Sequence, residues 1–174
     1  HIGMSADFFE HFQKYLNVNL QVVPTDSWSQ SLEYAKKRKC DVLSMAMSTP
    51  NRQKYMNFTK PYLSIPLVLA TRKNVTFVDD FDKLTDKKVA IVKGYAFTEL
   101  LRRKHPKLNL HEVATTKAGL DAVARGEYFG FIGTLASVGY HFQYDFTGEL
   151  KIAGKFDEKW ELGVGVRNDD AMLL

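Results

Sequence analysis

The order of apolar and polar positions divides the chain into short strands and amphipathic helices. Met4, Phe8, Phe9, Phe12, Tyr15 and Leu16 fall on one helical face, with Ser5 or Asp7 in the first turn. Leu20 to Val23 reads as a strand, and Pro24-Thr25-Asp26-Ser27 as a turn. Ser27 or Ser29 caps a second helix that passes through Leu32 and Ala35 and ends in Lys36-Lys37-Arg38-Lys39. Val42 to Ala46 is the next strand, and an extended apolar run, Ile65 to Ala70, comes after it. The pattern then repeats. Val89 to Val92 is a β-branched run, Gly94 turns the chain, and Phe97, Leu100 and Leu101 open a helix that stops at His105-Pro106. Leu108 to Val113 is a strand. Thr115 or Thr116 caps a helix that carries Ala118, Leu120, Ala122, Val123 and Ala124 and ends at Arg125-Gly126, with glycine just past the last turn. Phe129 to Ile132 is a strand and Leu135 to Tyr144 a helix.

Strands alternating with helices through short loops imply parallel pairing, because parallel strands need a crossover and a helix is the usual one. Two such blocks predict an α/β protein of two lobes, each a mostly parallel sheet flanked by helices. The first lobe is expected at residues 1–68 plus 165–174, the second at 75–159, with hinge crossings at 69–74 and 160–165. Ligands of open α/β sheets sit beyond the C-terminal strand ends, so two lobes that face each other in this way enclose a cleft.

Composition narrows the function. At 174 residues, with 45% hydrophobic and 25% charged positions, the chain can bury a core and is not disordered throughout. The longest apolar runs, Ile65 to Ala70 and Val89 to Val92, fall far short of the roughly 20 residues a membrane helix needs, so no segment is expected inside a bilayer. Lys and Arg number 24 against 20 Asp and Glu. The basic clusters Lys36 to Lys39 and Arg102-Arg103-Lys104 each close a helix, where cations complement the dipole. No aromatic-interleaved basic stripe accompanies them, so nucleic acid is not an expected partner, whereas a nearby membrane surface stays open. The single cysteine, Cys40, rules out an internal disulfide. His1, His11, His105, His111 and His141 are dispersed, so neither a metal nor another cofactor is expected.

The densest candidate chemistry is Thr49-Pro50-Asn51-Arg52, followed by Phe58-Thr59-Lys60-Pro61-Tyr62 and the apolar exit run. It sets an arginine in a turn just after a buried strand. A guanidinium offers a rigid fork of donors that fits a carboxylate in a bidentate way.

In order along the chain, Trp28, Cys40-Asp41-Val42, Thr49-Pro50-Asn51-Arg52, Phe58 to Tyr62 and Pro66-Leu67-Val68 resemble the family 3 extracellular solute-binding proteins. These are polar amino-acid binders with the periplasmic type II, or Venus-flytrap, fold. Lys88 to Ala96, Gly126-Glu127, Gly133-Thr134-Leu135-Ala136, Leu150 to Gly154 and Val166-Arg167 continue the resemblance over nearly the whole chain. The approach from Asp41 to Arg52 is one residue shorter than in typical amino-acid binders. Together with Gly94-Tyr95-Ala96 and Gly133 to Ala136 it is similar to the sensor modules of membrane-bound hybrid histidine kinases.

That resemblance implies an extracytoplasmic sensor without chemistry of its own. It would lie on the periplasmic or extracellular side of a bacterial cytoplasmic membrane, near the membrane but not inserted. It implies further sensor modules and a membrane-spanning kinase in the same polypeptide, and allows a homodimer through the full-length receptor. A free solute-binding protein that serves an ABC transporter, and an enzyme on the same scaffold such as a dehydratase or the front module of a peptidoglycan lyase, are the alternatives. The chain opens at His1 without a methionine or signal peptide, and the family's first strand and closing helices are expected outside it.

Carried over by position, Arg52 clamps a carboxylate, Trp28 forms an aromatic wall, and Ser48 and Thr49 add hydroxyl or backbone donors. From the second lobe, Gly94, Tyr95, Ala96 and Phe97 form a strand-to-helix turn whose free N–H groups favour an anion. Thr134 stands where amino-acid binders carry an aspartate for the ligand's α-ammonium, and a hydroxyl supplies no charge, so the expected ligand is a small carboxylate rather than a standard amino acid. Each residue also has a plainer role: Arg52 as one half of a surface ion pair, Trp28 as a packing residue at a helix start, Gly94 as a tight connection. Met47 lines the cleft or faces the core.

Overall fold

The computed structural model describes residues 3–169. The elements in chain order are α1 (Met4–Leu16), α2 (Trp28–Lys36), β1 (Val42–Ala46), α3 (Pro50–Gln53), β2 (Met56–Phe58) and β3 (Leu63–Arg72). After a 3-10 turn at Phe81–Leu84 come β4 (Lys88–Val92), α4 (Ala96–Lys104), β5 (Asn109–Val113), α5 (Thr116–Ala124), β6 (Gly130–Thr134), α6 (Leu135–Tyr144) and β7 (Leu150–Arg167).

The second lobe is built as its sequence pattern predicts. β4 lies between β5 and β6 and is parallel to both, with α4 and α5 as the crossovers. Antiparallel β3 and β7 extend the sheet beyond β6, giving the order β1-β7-β3-β6-β4-β5. Both faces are covered. Along β3, Leu67 and Leu69 join one core with Ile91, Phe97 and Phe156, while Val68 and Ala70 join the other with Val92, Leu120 and Phe131. A strand buried on both sides reads as a continuous apolar run, which is why Ile65 to Ala70 carries no polar alternation. Gly126, at φ +83°, ends α5 in the left-handed conformation that only glycine adopts at no cost.

The first lobe is smaller. Ala35, Leu43, Ala46 and Met56 form its core, with Trp28, Leu32 and Tyr55 packed against them. Its strands β1 and β2 both pair antiparallel with the C-terminal part of β7. The strand expected at Leu20 to Val23 does not form: those residues carry no ladder, and Val22 and Val23 are exposed. Alternation of side chains marks a face but does not supply the neighbour whose N–H and C=O groups complete a ladder. The parallel pairing expected for this lobe is therefore not made among the described residues.

The lobes share strands rather than a loop. Leu67 to Thr71 already pairs with β6, so much of the segment expected as a crossing at 69–74 lies within the second-lobe sheet. β7 pairs with β3 from Leu150 to Leu162, then with β1 and β2 from Gly163 to Arg167. Of the tail assigned to the first lobe, 170–174 lie outside the described residues, as do His1 and Ile2.

Candidate functional site

β1 carries a register shift between Leu43 and Ala46, and Met45 there adopts φ +47°. A bulge of this kind bends the strand and re-aims the chain beyond it. Met47-Ser48-Thr49 and the one-turn helix α3 come next. Thr49 caps α3, its hydroxyl accepting from the Arg52 amide at 3.3 Å, and Pro50 takes a first-turn position that needs no donor. This holds Arg52 facing the second lobe.

Arg52 is only 4% exposed. Its Nη1 donates to the Met47 carbonyl at 2.8 Å and its Nη2 to the Gly94 carbonyl at 2.9 Å. The guanidinium lies over the Trp28 ring, 5.4 Å from its centre, and the Trp28 indole N–H donates to the same Gly94 carbonyl at 3.2 Å. Burial lowers the Arg52 pKa, opposed more weakly by Tyr55 and Glu99 nearby, and the group stays cationic at neutral pH. Gly94 turns at φ +78°, and a Cβ added there would meet Ser29 Oγ at 3.3 Å and Leu32 Cδ1 at 3.6 Å. The second lobe thus touches the start of α2 through bare backbone.

The sequence-derived site residues separate into groups. Arg52, Trp28 and Gly94 are in direct contact. Thr49, Arg52, Gly94, Tyr95 and Ala96 line one interlobe cavity of about 620 Å³, within the usual range for small-molecule sites. Ser48 is exposed and accepts from Gln53 at 2.9 Å. Tyr95 starts α4 without a side-chain cap, and burial raises its phenol pKa. The Phe97 side chain is wholly buried in the second-lobe core, which leaves its main chain for any ligand. Thr134 is buried at the end of β6, where it caps α6, accepting from the Ser137 amide at 3.2 Å and donating to the Ser137 hydroxyl at 2.9 Å. It is not among the residues lining the cavity. Met47 is half-buried and contributes its carbonyl to Arg52.

Sequence reasoning missed the outer wall. Leu32, Lys36, Tyr55, Thr98, Glu99 and Arg102 also line the cavity. Leu32 and Lys36 lie one and two turns beyond Trp28, so helical spacing alone could have added them. Thr98 is 5% exposed and its hydroxyl has no hydrogen-bond partner among the described residues. Trp160 was missed as well. It pairs with Ile65 across the β3–β7 ladder and packs on Tyr95 and Phe97 with ring centres 5.0 and 5.1 Å apart, and its buried indole N–H has no partner among the described residues.

Two α/β lobes joined through paired strands, meeting at a buried arginine beside a cavity, define a solute-binding module. The family model for the bacterial extracellular solute-binding proteins, family 3, matches residues 1–174, and the chain belongs to that family. This places it outside the cytoplasm of a bacterium. The virulence sensor protein BvgS of Bordetella pertussis is 23% identical over 155 residues, covering 89% of this chain and 12% of its own length. Membrane-bound lytic murein transglycosylase F of a Shewanella species is 26% identical over 168 residues, covering 92% of this chain and 35% of that protein. The chain therefore spans a small part of these relatives. Among solved structures, the BvgS periplasmic VFT2 domain superposes with a TM-score of 0.83 at 22% identity over 97% of this chain and 72% of that one. A histidine kinase sensor domain similar to periplasmic binding proteins gives 0.88 at 18%, over 97% and 74%. The arginine-bound form of ArgBP from T. maritima gives 0.84 at 21%, over 99% and 80%. At these identities the likeness is one of fold. No helix among the described residues is long and apolar enough to cross a membrane.

Proposed function

We propose that the chain is the extracytoplasmic ligand-binding sensor of a transmembrane receptor, a histidine kinase, and that it signals through lobe closure. The ligand is a small carboxylate-bearing metabolite held between the lobes. The observation that carries this reading is the buried guanidinium of Arg52 at the junction of the lobes, beside an uncapped helix start. Arginine is the side chain suited to holding a carboxylate away from water. Thr134 supports a ligand other than an α-amino acid, since its hydroxyl caps α6 and offers no charge for an ammonium. The hinge lies where β3 and β7 leave the second-lobe sheet, at Leu63 to Pro66 and at residues 160–165.

The test is a thermal-shift screen of amino acids, dicarboxylates and aromatic monocarboxylates, followed by calorimetry on wild type and Arg52→Ala. Full affinity in Arg52→Ala for an anion that the wild type binds rules out the clamp. The likeness to ArgBP favours a second reading, a free solute-binding protein of a transporter. The coding sequence beyond Leu174 separates the two: a membrane span and kinase modules support the sensor, a stop codon after two helices the transporter protein.

A further inference from the structure

We propose that the ligand is an ω-amino acid, its carboxylate held by Arg52 of the first lobe and its remote ammonium by Glu99 of the second. The inference names the chemical class for the proposed site and rests on the reading of Arg52 as the carboxylate clamp.

Arg52, Thr98 and Glu99 line one cavity between the lobes. Most other charges on its wall are already matched: Lys36 pairs with Glu33 at 2.8 Å and Arg102 with Glu112 at 3.3 Å. Lys54 is exposed, and a hydrated surface ammonium adds little to binding. Glu99 joins no ion pair among the described residues, although it is near enough to Arg52 to favour the charged guanidinium. The cavity therefore presents a buried cation from one lobe and an unmatched carboxylate from the other. A ligand that complements both is a zwitterion.

Spacing selects among zwitterions. The Arg52 bond to the Gly94 carbonyl sets the guanidinium beside the start of α4. Beyond the N–H groups given to Met47 and Gly94 the fork keeps others, and the uncapped first amides of α4 add donors for the same carboxylate. Glu99 stands one helical turn past Ala96, roughly 5 Å along the axis. In an α-amino acid the ammonium sits on the carbon next to the carboxylate and cannot span a turn, whereas a spacer of a few methylenes can. Leu32, Ala96 and Tyr55 give the same cavity apolar wall for such a spacer.

An ammonium carries several N–H donors, more than one carboxylate oxygen satisfies. The buried Thr98 hydroxyl, without a partner among the described residues, is a second acceptor next to Glu99 in the same cavity wall. Buried polar groups are hydrogen-bonded as a rule, so this hydroxyl points to a polar ligand group at that place. With one charge of the ligand on each lobe, binding favours the closed arrangement over the open one, which is the differential affinity that closure requires.

A first-turn acid also complements the dipole of α4, so the test reads ligand preference rather than stability. Butyrate, α-aminobutyrate, its isomer γ-aminobutyrate and the longer δ-aminovalerate are titrated into the intact chain by calorimetry. We expect wild type to bind one of the two ω-amino acids about tenfold or more tightly than butyrate, the size of a charged hydrogen bond, and α-aminobutyrate no more tightly than butyrate. Glu99→Gln, folded by circular dichroism, should lose the preference and keep the affinity for butyrate. Equal binding of butyrate and the ω-amino acids by wild type, a preference that survives in Glu99→Gln, or tighter binding of α-aminobutyrate than of its isomer overturns the inference; the clamp still stands where Arg52→Ala abolishes binding. An ω-amino acid bound as well by Arg52→Ala as by wild type overturns the clamp and the inference with it. Failure of both ω-amino acids to bind overturns the inference alone, and the clamp is then judged by the other carboxylates of the screen.

Discussion

Arg52 and Gly94, 42 positions apart and in different lobes, are joined by a 2.9 Å hydrogen bond from a buried guanidinium to a bare backbone carbonyl. The first prediction concerns the donor. Arg52→Ala removes the charge and both bonds from a nearly water-free position. Hydrogen bonds to charged groups are worth about 1.5–3 kcal/mol, so affinity for a bound carboxylate falls by roughly 10- to 100-fold. Arg52→Lys keeps the charge but loses the fork and recovers only part of the affinity. Isothermal calorimetry checks both, and equal affinity in wild type and Arg52→Lys would show that charge alone is sensed.

The acceptor side is tested at Gly94. Gly94→Ala keeps the carbonyl but puts a Cβ into left-handed backbone and 3.3 Å from Ser29 Oγ. The conformation costs about 1–2 kcal/mol in a residue other than glycine. Urea unfolding should show a loss of that size, while Gly139→Ala, a site with nothing within 4 Å of an added Cβ, should be neutral or stabilising.

Thr134 separates a structural role from a binding one. Thr134→Val removes the α6 cap and should cost about 1 kcal/mol of stability. Thr134→Asp retains a good capping group and places a carboxylate at the end of β6. It should unfold near the wild-type midpoint, since aspartate caps a helix at least as well as threonine. A Thr134→Asp variant that is as unstable as Thr134→Val would show that the pair with Ser137, rather than the cap, is what matters.

Acid sensitivity is expected from Glu158. Burial is the largest single influence and raises its pKa, but the hydrogen bond from Lys104, 2.9 Å away, the carboxyl's own backbone hydrogen bond and the nearby cations together outweigh it, and the carboxyl titrates below its ordinary value. A group whose folded pKa is depressed contributes stability that is fully present above its unfolded pKa, about 4.3, and lost as pH falls through the folded value. Wild type should therefore melt above Glu158→Gln at pH 7, and the difference should close below about pH 4. A constant difference across that range would assign the effect to packing.

What could be read from the sequence was local. Val42–Ala46 and Leu135–Tyr144 form the elements their patterns predict, because strand alternation, capping and helical spacing are properties of neighbours in the chain. Leu20 to Val23 has the same apolar signature as Val42 to Ala46 but no ladder, since pairing depends on distant residues. Arg52 was legible as a candidate because of its turn. Its partner was not, for a backbone carbonyl carries no residue-type signature. Phe97 and Thr134 show the converse: their positions read as a site, but the Phe97 ring fills a core and the Thr134 hydroxyl closes a helix.

β7 hydrogen-bonds with β3 along its first part and with β1 and β2 along its last five residues. Neither lobe can lose this strand and keep its sheet, so the two cannot melt one after the other as independent bodies do. Heat or denaturant should take the molecule apart in a single cooperative step, and a destabilising change in the small first core should be felt in the melting of the large second one.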